Sequence, residues 1–305
     1  MTKISRRKFL SVSAICIGSQ LLAKNIENKK ITWEGIALGA PSTMTLYHHD
    51  ISYAKRVLKK CELEIIRLEN IFSLYRKNSS INQLNKNGYL NNPPKELLEL
   101  ITFSNLISKQ TKGAFDISIQ PLWQVYSKYH NNEKILKQKV EEVKKLVSYK
   151  NISFNEKQIS FKEKNMAITL NGIAQGYISD QISQLLKKEG FTNVLVDLGE
   201  INALGQHPSK RDWNISTPYL KDLKYIPLNN KAMASSGAYG TRFNEKYHHL
   251  INAKKAVSVD YINSVTVVAS SATLADVLAT AIAVSSKSRR EKIMKTYPKV
   301  KVYLS

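Results

Sequence analysis

The segment NGIAQGYISD, residues 171–180, carries the strongest structural signal in this chain of 305 residues. Its two glycines, Gly172 and Gly176, flank small residues and lead directly into the helical pattern of residues 182–186, and a strand-like run, 166–170, precedes it. Glycine allows a backbone to approach a ligand closely, and the free N–H groups at the start of a helix attract anions. The segment therefore predicts an anion-binding junction between a strand and a helix.

Hydrophobic periodicity on both sides of this segment predicts strands and helices in irregular alternation. The predicted strands are 31–38, 43–47, 152–154, 159–161, 167–170, 194–198, 201–204, 213–216, 225–228, 249–251, 265–269 and 300–304. The predicted helices are 51–72, 95–109, 132–148, 176–189 and 273–284, with one more before the last strand, and 113–121 is predicted to be extended. This order favours an α+β (mixed α/β) fold over a doubly wound sheet, with antiparallel or mixed sheets flanked by helices in one compact domain, residues 25–305.

The chain is strongly basic, with 46 Lys and Arg against 24 Asp and Glu and a net charge of +22. Five of the basic residues and none of the acidic ones lie in the first 24 residues, which leaves +17 for the rest. The basic residues are scattered without the basic–aromatic pattern of a nucleic-acid platform, so no nucleic-acid partner is predicted. With only Cys16 and Cys61 present, a disulfide framework and a cysteine zinc site are excluded.

The N-terminus has the layout of an export signal. Ser5-Arg6-Arg7-Lys8-Phe9-Leu10 precedes a mildly apolar run, 10–23, that is too short to span a bilayer. Consecutive arginines followed by Phe-Leu resemble a twin-arginine signal, predicted over residues 1–24. The predicted location is the periplasm, either free without stable membrane insertion after signal cleavage or held at the inner membrane by an uncleaved signal.

The apolar helical segment SATLADVLAT, residues 271–280, contains Asp276 and Thr280. Four residues apart on a helix, their side chains project from one face. A carboxylate and a hydroxyl are hard oxygen ligands of the kind that Mg²⁺ takes together with water and phosphate. The alternative is a solvated aspartate and a packed threonine, but a lone carboxylate in an apolar helix needs a partner for its charge.

Three other segments offer groups with chemical roles. His248-His249 precedes an apolar strand, where a histidine is either structural or a base for a hydroxyl nucleophile. The segment 234–240, ASSGAYG, is a small-residue loop that is either a flexible turn or a backbone cradle for phosphate. Tyr75, after the first long helix, is either a core residue or an aromatic platform.

Seven strings in order resemble the ApbE-type FAD:protein FMN transferases, over a range from about residue 31 to the C-terminus. They are EIIRLENIFSLYRKNSSINQLN (64–85), TKGAFDISIQPLW (111–123), NGIAQGYISD (171–180), VLVDLGEINALG (194–205), ASSGAYGTRF (234–243), HHLIN (248–252) and SATLADVLATA (271–281). The resemblance implies that residues 25–305 are a flavin transferase domain. It also implies an enzyme that moves FMN from FAD onto a Thr or Ser hydroxyl of a partner protein and releases AMP, with FAD and Mg²⁺ bound.

Site residues follow from the resemblance position by position. The metal ligands are implied to be Asp276, Thr280 and the main-chain carbonyl of Ala174, with His249 as the general base. Tyr75 is implied to stack on the flavin and Asp180 to lie at the nucleotide. The remaining implied cofactor-binding residues are Leu38, Gly39, Asp116, Gln175, Ser235, Ser236 and Gly237.

The chain also departs from the family pattern. Gln175 stands where lysine is common, Glu200 where a second glycine is common, and Leu38-Gly39-Ala40 where Met-Gly-Thr is common. These three variants resemble a NosX-like branch linked to maturation of nitrous-oxide reductase, which implies a flavin-accepting domain of a membrane-bound redox protein as the partner. Asn252-Ala253-Lys254, in place of Asp-Pro before a Thr-Gly turn, is not explained by that branch.

Two other functions are consistent with the same residues. One is a non-catalytic FAD-binding assembly factor for a respiratory enzyme, for which Gln175, Asn252 and Ala253 would be the signature. The other is an FAD pyrophosphatase that releases FMN and AMP, with water in place of the acceptor hydroxyl.

Overall fold

A computed structural model describes residues 27–217, 220, 223–259 and 261–305, so the predicted signal at 1–24 lies outside it. Seven strands of the described part form one antiparallel sheet in the order β1-β2-β6-β7-β10-β13-β14. Their bounds are β1 Lys29–Ala37, β2 Ala40–His48, β6 Val194–Asp197, β7 Ile201–Leu204, β10 Lys231–Gly237, β13 Ser264–Ala269 and β14 Lys301–Leu304. The remaining strands form three small sheets: β3 Tyr89–Asn91, β5 Gln158–Phe161 and β4 Ile152–Phe154; β8 Trp213–Ile215 and β9 Ile226–Leu228; β11 Ile251–Asn252 and β12 Val257–Ser258.

Eight α-helices lie in the described part of the chain. They are α1 Ile51–Phe72, α2 Ser80–Asn87, α3 Lys95–Gln110, α4 Gln120–Tyr129, α5 Glu133–Val143, α6 Ala174–Lys188, α7 Ala272–Ala283 and α8 Lys287–Thr296. No described helix is long and apolar enough to cross a membrane. Antiparallel sheets flanked by helices confirm the predicted α+β fold class.

The main sheet is covered on both faces. Helices α1, α6 and α7 contact its strands on one face, where the largest hydrophobic cluster lies. On the other face, the hairpin of β8 and β9 packs Trp213 and Leu228 against Met233 and Val268. Strands buried on both faces read as continuous apolar runs, which is why VTVVA at 265–269 was easy to recognise.

Helices α6 and α7 meet at a glycine. A Cβ on Gly176 would lie 2.4 Å from the carbonyl oxygen of Ala272 and 2.8 Å from the nitrogen of Thr273. Because these nearest atoms belong to the backbone of α7, no side chain could rotate away to make room for the added Cβ. Gly176 therefore sets the close approach of the two helices that carry the predicted metal ligands.

Replacing Gly176 with alanine is expected to destabilise the fold by about 2–3 kcal/mol, because overpacking against backbone forces the helices apart. Urea unfolding measures the effect. The matched control is Gln184→Ala on the exposed face of the same helix, expected to stay within about 0.5 kcal/mol of the native chain. Equal stability of the Gly176 variant and the native chain would show that this contact relaxes freely.

Two predicted elements are wrong because local tertiary contacts replace them. Residues 167–170 form no strand: the side-chain amide of Asn85 donates to the carbonyl of Ile168 and accepts from its N–H, both at 2.8 Å. The predicted extended piece 113–121 is instead a turn, a short 3-10 helix at 117–119 and the start of α4.

The predicted loop 234–240 is also corrected. Its first four residues, 234–237, belong to strand β10, which pairs with β7 and β13. The small residues Ser235, Ser236 and Gly237 are typical of a turn in sequence. In the structure, their small size allows α7 to pack closely against this central strand. Only residues 238–240 form a turn.

Candidate active site

A cavity of about 320 Å³, here called the main cavity, collects most of the predicted site residues from distant parts of the chain. The predicted residues that line it are Leu38, Tyr75, Asp116, Gln175, Ser235, Ser236, Gly237, His249, Asp276 and Thr280. They come from the β1–β2 turn, the segments after α1 and α3, strand β10, the segment before β11 and helices α6 and α7. The fold thus brings together residues up to 242 positions apart, from 38 to 280.

Side-chain oxygens of α7 and β10 line part of the main cavity. The Oγ1 of Thr280 lies 3.3 Å from the Oγ of Ser236, and the buried carboxylate of Asp276 accepts from the N–H of Gly176 at 3.2 Å. A Cβ on Gly172 would lie 3.0 Å from the Thr280 hydroxyl oxygen. Glycine at 172 therefore keeps the backbone of residues 171–173 close to this hydroxyl.

Glu200 is a second buried carboxyl in the same cavity. Burial, with a smaller contribution from the negative charge of Asp180, raises the pKa of Asp276 to about 7 against the opposing hydrogen bond from Gly176. The pKa of Glu200 is raised well above its usual range, by burial first and then by the charge of Asp276. Two carboxyls in a dry space favour a cation or a proton between them.

His249 also lines the main cavity. In one tautomer its Nδ1 accepts from the N–H of Thr241 at 3.1 Å, and in the other its Nδ1–H donates to the carbonyl oxygen of Thr241 at 3.2 Å. When Nδ1–H donates to that carbonyl, the lone pair is on Nε2. Burial lowers the pKa of His249 below its usual value of 6.5, so the neutral imidazole predominates at neutral pH.

The turn next to His249 has no room for another side chain. A Cβ on Gly240 would lie 2.9 Å from the Cε1 of His249. The ring is therefore held between this turn and the Thr241 backbone. These contacts with residues 240 and 241 fix the orientation of the imidazole.

An aromatic and apolar mouth is organised by Glu69. Its buried carboxylate accepts from the N–H of Leu38 at 2.7 Å and pairs with Arg76. Leu38 has a positive φ of 47°, so this hydrogen bond holds an uncommon backbone conformation in the β1–β2 turn. Tyr75, 77% exposed, stands at the same mouth, where a planar ligand has access to its ring.

Asp116 closes another side of the main cavity. Its carboxylate accepts from the N–H and hydroxyl of Ser118 at 2.9 and 2.6 Å, and from the N–H of Tyr149 at 2.9 Å. Burial raises the pKa of Asp116, and these three donors oppose that rise. The residue therefore acts at least as a structural clamp between the 3-10 helix and the segment before β4.

Three predicted site residues do not line the main cavity: Gly39, Ala174 and Asp180. Gly39 has a φ of 83° and completes the β1–β2 turn. Ala174 is the first residue of α6 and donates its N–H to Leu170. In a helix the first carbonyl normally accepts an intrahelical bond, so the carbonyl of Ala174 is a poor match for a metal ligand. These three roles stay predictions.

Asp180 has an extensive structural role. Its carboxylate accepts from the N–H groups of Ala272 and Thr273 at 2.8 and 2.9 Å, from the Thr273 hydroxyl at 2.6 Å and from the amide of Asn202 at 2.7 Å. It therefore caps the N-terminus of α7 from the neighbouring helix α6. Asp180 thus holds the N-terminus of the helix on which Asp276 and Thr280 lie, without lining the main cavity.

The departures from the family pattern have local explanations. A Cβ on Gly199 would lie 2.4 Å from the Nε2 of Gln175, so the amide lies flat against a glycine with a φ of 96°. Asn252 donates to the carbonyl of Val284 at 2.9 Å and accepts from the N–H of Lys255 at 2.9 Å. Asn252 thus ties the turn after His249 to the C-terminal end of α7.

Several lining residues were not identified from the sequence. They include Phe115, Trp123, Thr169, Asn171, Tyr239, Gly240 and Thr241. Most lie inside or next to the seven strings, so proximity to those strings was the available signal. No three His, Cys, Asp or Glu side chains of the described residues gather into a metal-binding group.

Known proteins give the chain its family. The profile of the ApbE family matches residues 38–304. The FAD:protein FMN transferase of Buchnera aphidicola subsp. Schizaphis graminum is 28% identical over 280 residues, which cover 84% of this chain and 80% of that protein. The FAD:protein FMN transferase of Haemophilus influenzae is 24% identical, with 93% and 89% covered.

Solved structures agree on the fold. The apo flavinyl transferase ApbE of Pseudomonas stutzeri superposes with a TM-score of 0.81 at 21% identity and covers 91% of each chain. The ApbE protein of Thermotoga maritima superposes with a TM-score of 0.79 at 24% identity and covers 90% of this chain and 94% of its own. With the family profile matched over most of its length, the chain belongs to the ApbE family and is a transferase.

Proposed function

We propose that this chain is a Mg²⁺-dependent FAD:protein FMN transferase that joins FMN through a phosphoester to a Thr or Ser of a partner redox protein. The observation that carries the proposal is that one cavity is lined by the buried carboxyl of Asp276, the partly buried hydroxyl of Thr280 and the partly buried imidazole of His249. Family membership and the names of the relatives support the same reaction.

The bonds formed and broken in this transfer can be written with side chains of this protein as the only proton acceptors. The acceptor hydroxyl oxygen forms a bond to the FMN phosphorus while the bond from that phosphorus to the bridging oxygen of AMP breaks. The hydroxyl proton passes to Nε2 of His249, and AMP leaves with the electron pair of the broken bond. No enzyme nucleophile is required, so the chain supplies positioning and a base.

The oxygen ligands fit a magnesium ion. Mg²⁺ is usually held by one or two carboxylates with water and substrate phosphate completing the shell. Asp276 and Thr280 would hold it, with Ser236 at 3.3 Å from Thr280 as a neighbour of the same kind. Bound there, the ion would neutralise charge on the pyrophosphate and on the AMP leaving group.

The proposal places the flavin at the mouth and the pyrophosphate at the oxygen ligands. Tyr75 offers an exposed ring for stacking, and Leu38 gives an apolar contact beside it. Gln175 and the β10 residues Ser235, Ser236 and Gly237 offer hydrogen-bonding groups between the two ends. A neutral amide at 175 leaves phosphate neutralisation to the cation.

The proposal also includes a cellular place and a partner. A twin-arginine-type segment at residues 5–10 would carry the folded chain to the periplasm. The partner would then be an exported flavin-accepting domain of a membrane-bound redox protein, as the likeness to a NosX-like branch suggests. Detection of the mature chain in a periplasmic fraction, and its loss on changing Arg6 and Arg7 to Lys, tests the export step.

Replacing His249 with alanine is expected to lower the rate of FMN transfer by about 100-fold, the usual contribution of a general base. Because burial lowers the pKa of His249 below 6.5, native activity should persist at neutral pH and fall only at pH values below 6.5, whereas the variant should lack this acidic limb. The pH dependence of kcat/KM measures both effects. His49→Ala, an exposed histidine outside the cavity, is the control and should change neither.

The same depressed pKa has a consequence for stability. The unfolded chain binds a proton at this histidine more readily than the folded chain. The contribution of His249 to stability is therefore present above pH 6.5 and is lost as the pH falls through the folded pKa. An acidic limb of stability that survives in His249→Ala would assign the effect to another group.

One incubation separates the three functions. The purified chain is mixed with FAD, Mg²⁺ and a candidate acceptor domain. Flavin bound covalently to the acceptor, with equimolar AMP, supports transfer. Free FMN and AMP without labelled acceptor would support a pyrophosphatase, and bound but unchanged FAD would support an assembly factor.

A further inference from the structure

A second cavity, of about 400 Å³, adjoins the main cavity and is lined by four lysines. These are Lys109, Lys112, Lys150 and Lys254, and the space they line is here called the lysine cavity. They come from the end of α3, the turn after it, the segment before β4 and the turn after β11. Three segments, 109–112, the one before β4 and the one after β11, therefore converge to place positive charge around one cavity.

The charge of the lysine cavity is not neutralised by neighbouring carboxylates. The ten ion pairs of the described residues include none of the four lysines. Asp116 is the one acidic residue among the described lining, and its oxygens already accept from Ser118 and Tyr149. All four lysines are solvent-exposed, so their ammonium groups are accessible to a partner.

The position of the lysine cavity connects it to the chemistry. It shares Asp116 and Ala253 with the main cavity, and Ala253 follows His249 by four residues. The Cε of Lys254 would lie 3.4 Å from a Cβ on Gly113, so this side chain is packed across the turn after α3. A molecule in the lysine cavity would lie beside the site where the acceptor hydroxyl must arrive.

We propose that the lysine cavity docks an acidic segment of the acceptor protein next to its flavin-accepting hydroxyl. This inference rests on the proposed function. In that function the main cavity takes the dinucleotide, so the acceptor must dock outside it and extend only its hydroxyl inward. Carboxylates on the acceptor complement four unpaired ammonium groups, and such complementarity both speeds encounter and fixes register.

Val147 and Tyr149 add apolar surface between these lysines. An extended segment with alternating acidic and small residues would set carboxylates on the lysines and its backbone against this floor. A nucleic acid is the competing polyanion. The lysine cavity is short and concave, and lacks the succession of aromatic platforms that single strands use.

The test measures binding of a fluorescein-labelled peptide in which aspartates flank a threonine, with the aspartates replaced by asparagine in a matched peptide. The full chain and the double variant Lys112→Glu/Lys254→Glu are compared by fluorescence anisotropy, without FAD. The control, Lys29→Glu/Lys86→Glu, makes the same change in net charge at exposed lysines outside both cavities. A single-stranded oligonucleotide of equal charge is the competing probe.

The acidic peptide is expected to bind the native chain and the control about equally, and the Lys112/Lys254 variant about tenfold more weakly. Binding should disappear at about 0.5 M NaCl, and the asparagine peptide should bind no variant well. Equal affinity for the native chain and the Lys112/Lys254 variant would overturn the proposal. So would an equal loss in the control, or an oligonucleotide that binds as tightly and depends on the same lysines.

FAD binding by each variant, followed by flavin fluorescence, separates this inference from the proposed function. If the native chain bound no FAD, the proposed function would fail whatever the peptide did. If all variants bound FAD equally and the affinity for the acidic peptide did not depend on Lys112 and Lys254, only the docking proposal would fail.

Discussion

Asp276→Asn is expected to lower the rate of FMN transfer by about a thousandfold, because charge stabilisation at a phosphoryl group is among the largest single catalytic effects. The asparagine carbonyl retains an acceptor for the N–H of Gly176, now 3.2 Å from the carboxylate, so the fold should survive. Release of AMP and covalent flavin on the acceptor measure the rate. Titration with Mn²⁺, followed by its paramagnetic resonance signal, should show weakened cation binding in the same variant.

Two variants control this experiment. Thr280→Val removes the hydroxyl near Ser236 at constant shape and should weaken cation binding as well. Asp50→Asn changes an exposed helix-capping aspartate far from the cavity and should do neither. Full transfer activity in Asp276→Asn would remove this carboxylate from the metal site and with it the core of the proposed mechanism.

Asp180→Ala is expected to destabilise the fold by about 3 kcal/mol. Its carboxylate accepts four hydrogen bonds, and removing it leaves the buried N–H groups of Ala272 and Thr273 without their acceptor. The loss should appear in urea unfolding monitored by circular dichroism. FAD affinity measured well below the unfolding transition should change little, since Asp180 does not line the main cavity.

Asp50→Ala is the matched comparison. Asp50 also caps a helix, α1, through the N–H of Tyr53 at 2.8 Å, but it does so in solvent with one hydrogen bond. Its loss should cost about 1 kcal/mol. If Asp180→Ala instead abolished FAD binding without lowering stability, the predicted nucleotide role of Asp180 would be correct and the capping role secondary.

Local patterns in the sequence were sufficient for elements whose signals are local. The helix 51–72 was predicted with its observed bounds because its apolar residues recur at helical spacing, and the structure adds that Asp50 caps its N-terminus. The strand 265–269 was predicted to within one residue of its observed bounds, Ser264–Ala269. A run rich in β-branched residues indicates a strand without any information about its partner strands. Predictions of strands were wrong where a side chain distant in sequence hydrogen-bonds the backbone in place of a partner strand, as Asn85 does at Ile168.

The candidate site divides in the same way. Residue identity and order within the seven strings predicted nine of the ten predicted residues that line the main cavity, including Asp276, Thr280 and His249, and the tenth, Leu38, lies before the first string. The strings did not reveal that Glu200 adds a second buried carboxyl to the cavity lined by Asp276, because the two residues lie on a strand turn and a helix that are distant in sequence. The strings also did not distinguish a residue that lines the cavity, such as Asp276, from one that stabilises a lining helix, such as Asp180.

NGIAQGYISD illustrates that division within ten residues. Its sequence by itself determined a glycine-bracketed entry into a helix, because backbone freedom and helical periodicity are local properties. Only the tertiary structure decided that Gly172 approaches the Thr280 hydroxyl, that Gly176 contacts Ala272 and that Asp180 caps α7. Those roles depend on helices that meet across about a hundred intervening residues, and the packing of the whole sheet sets where they meet.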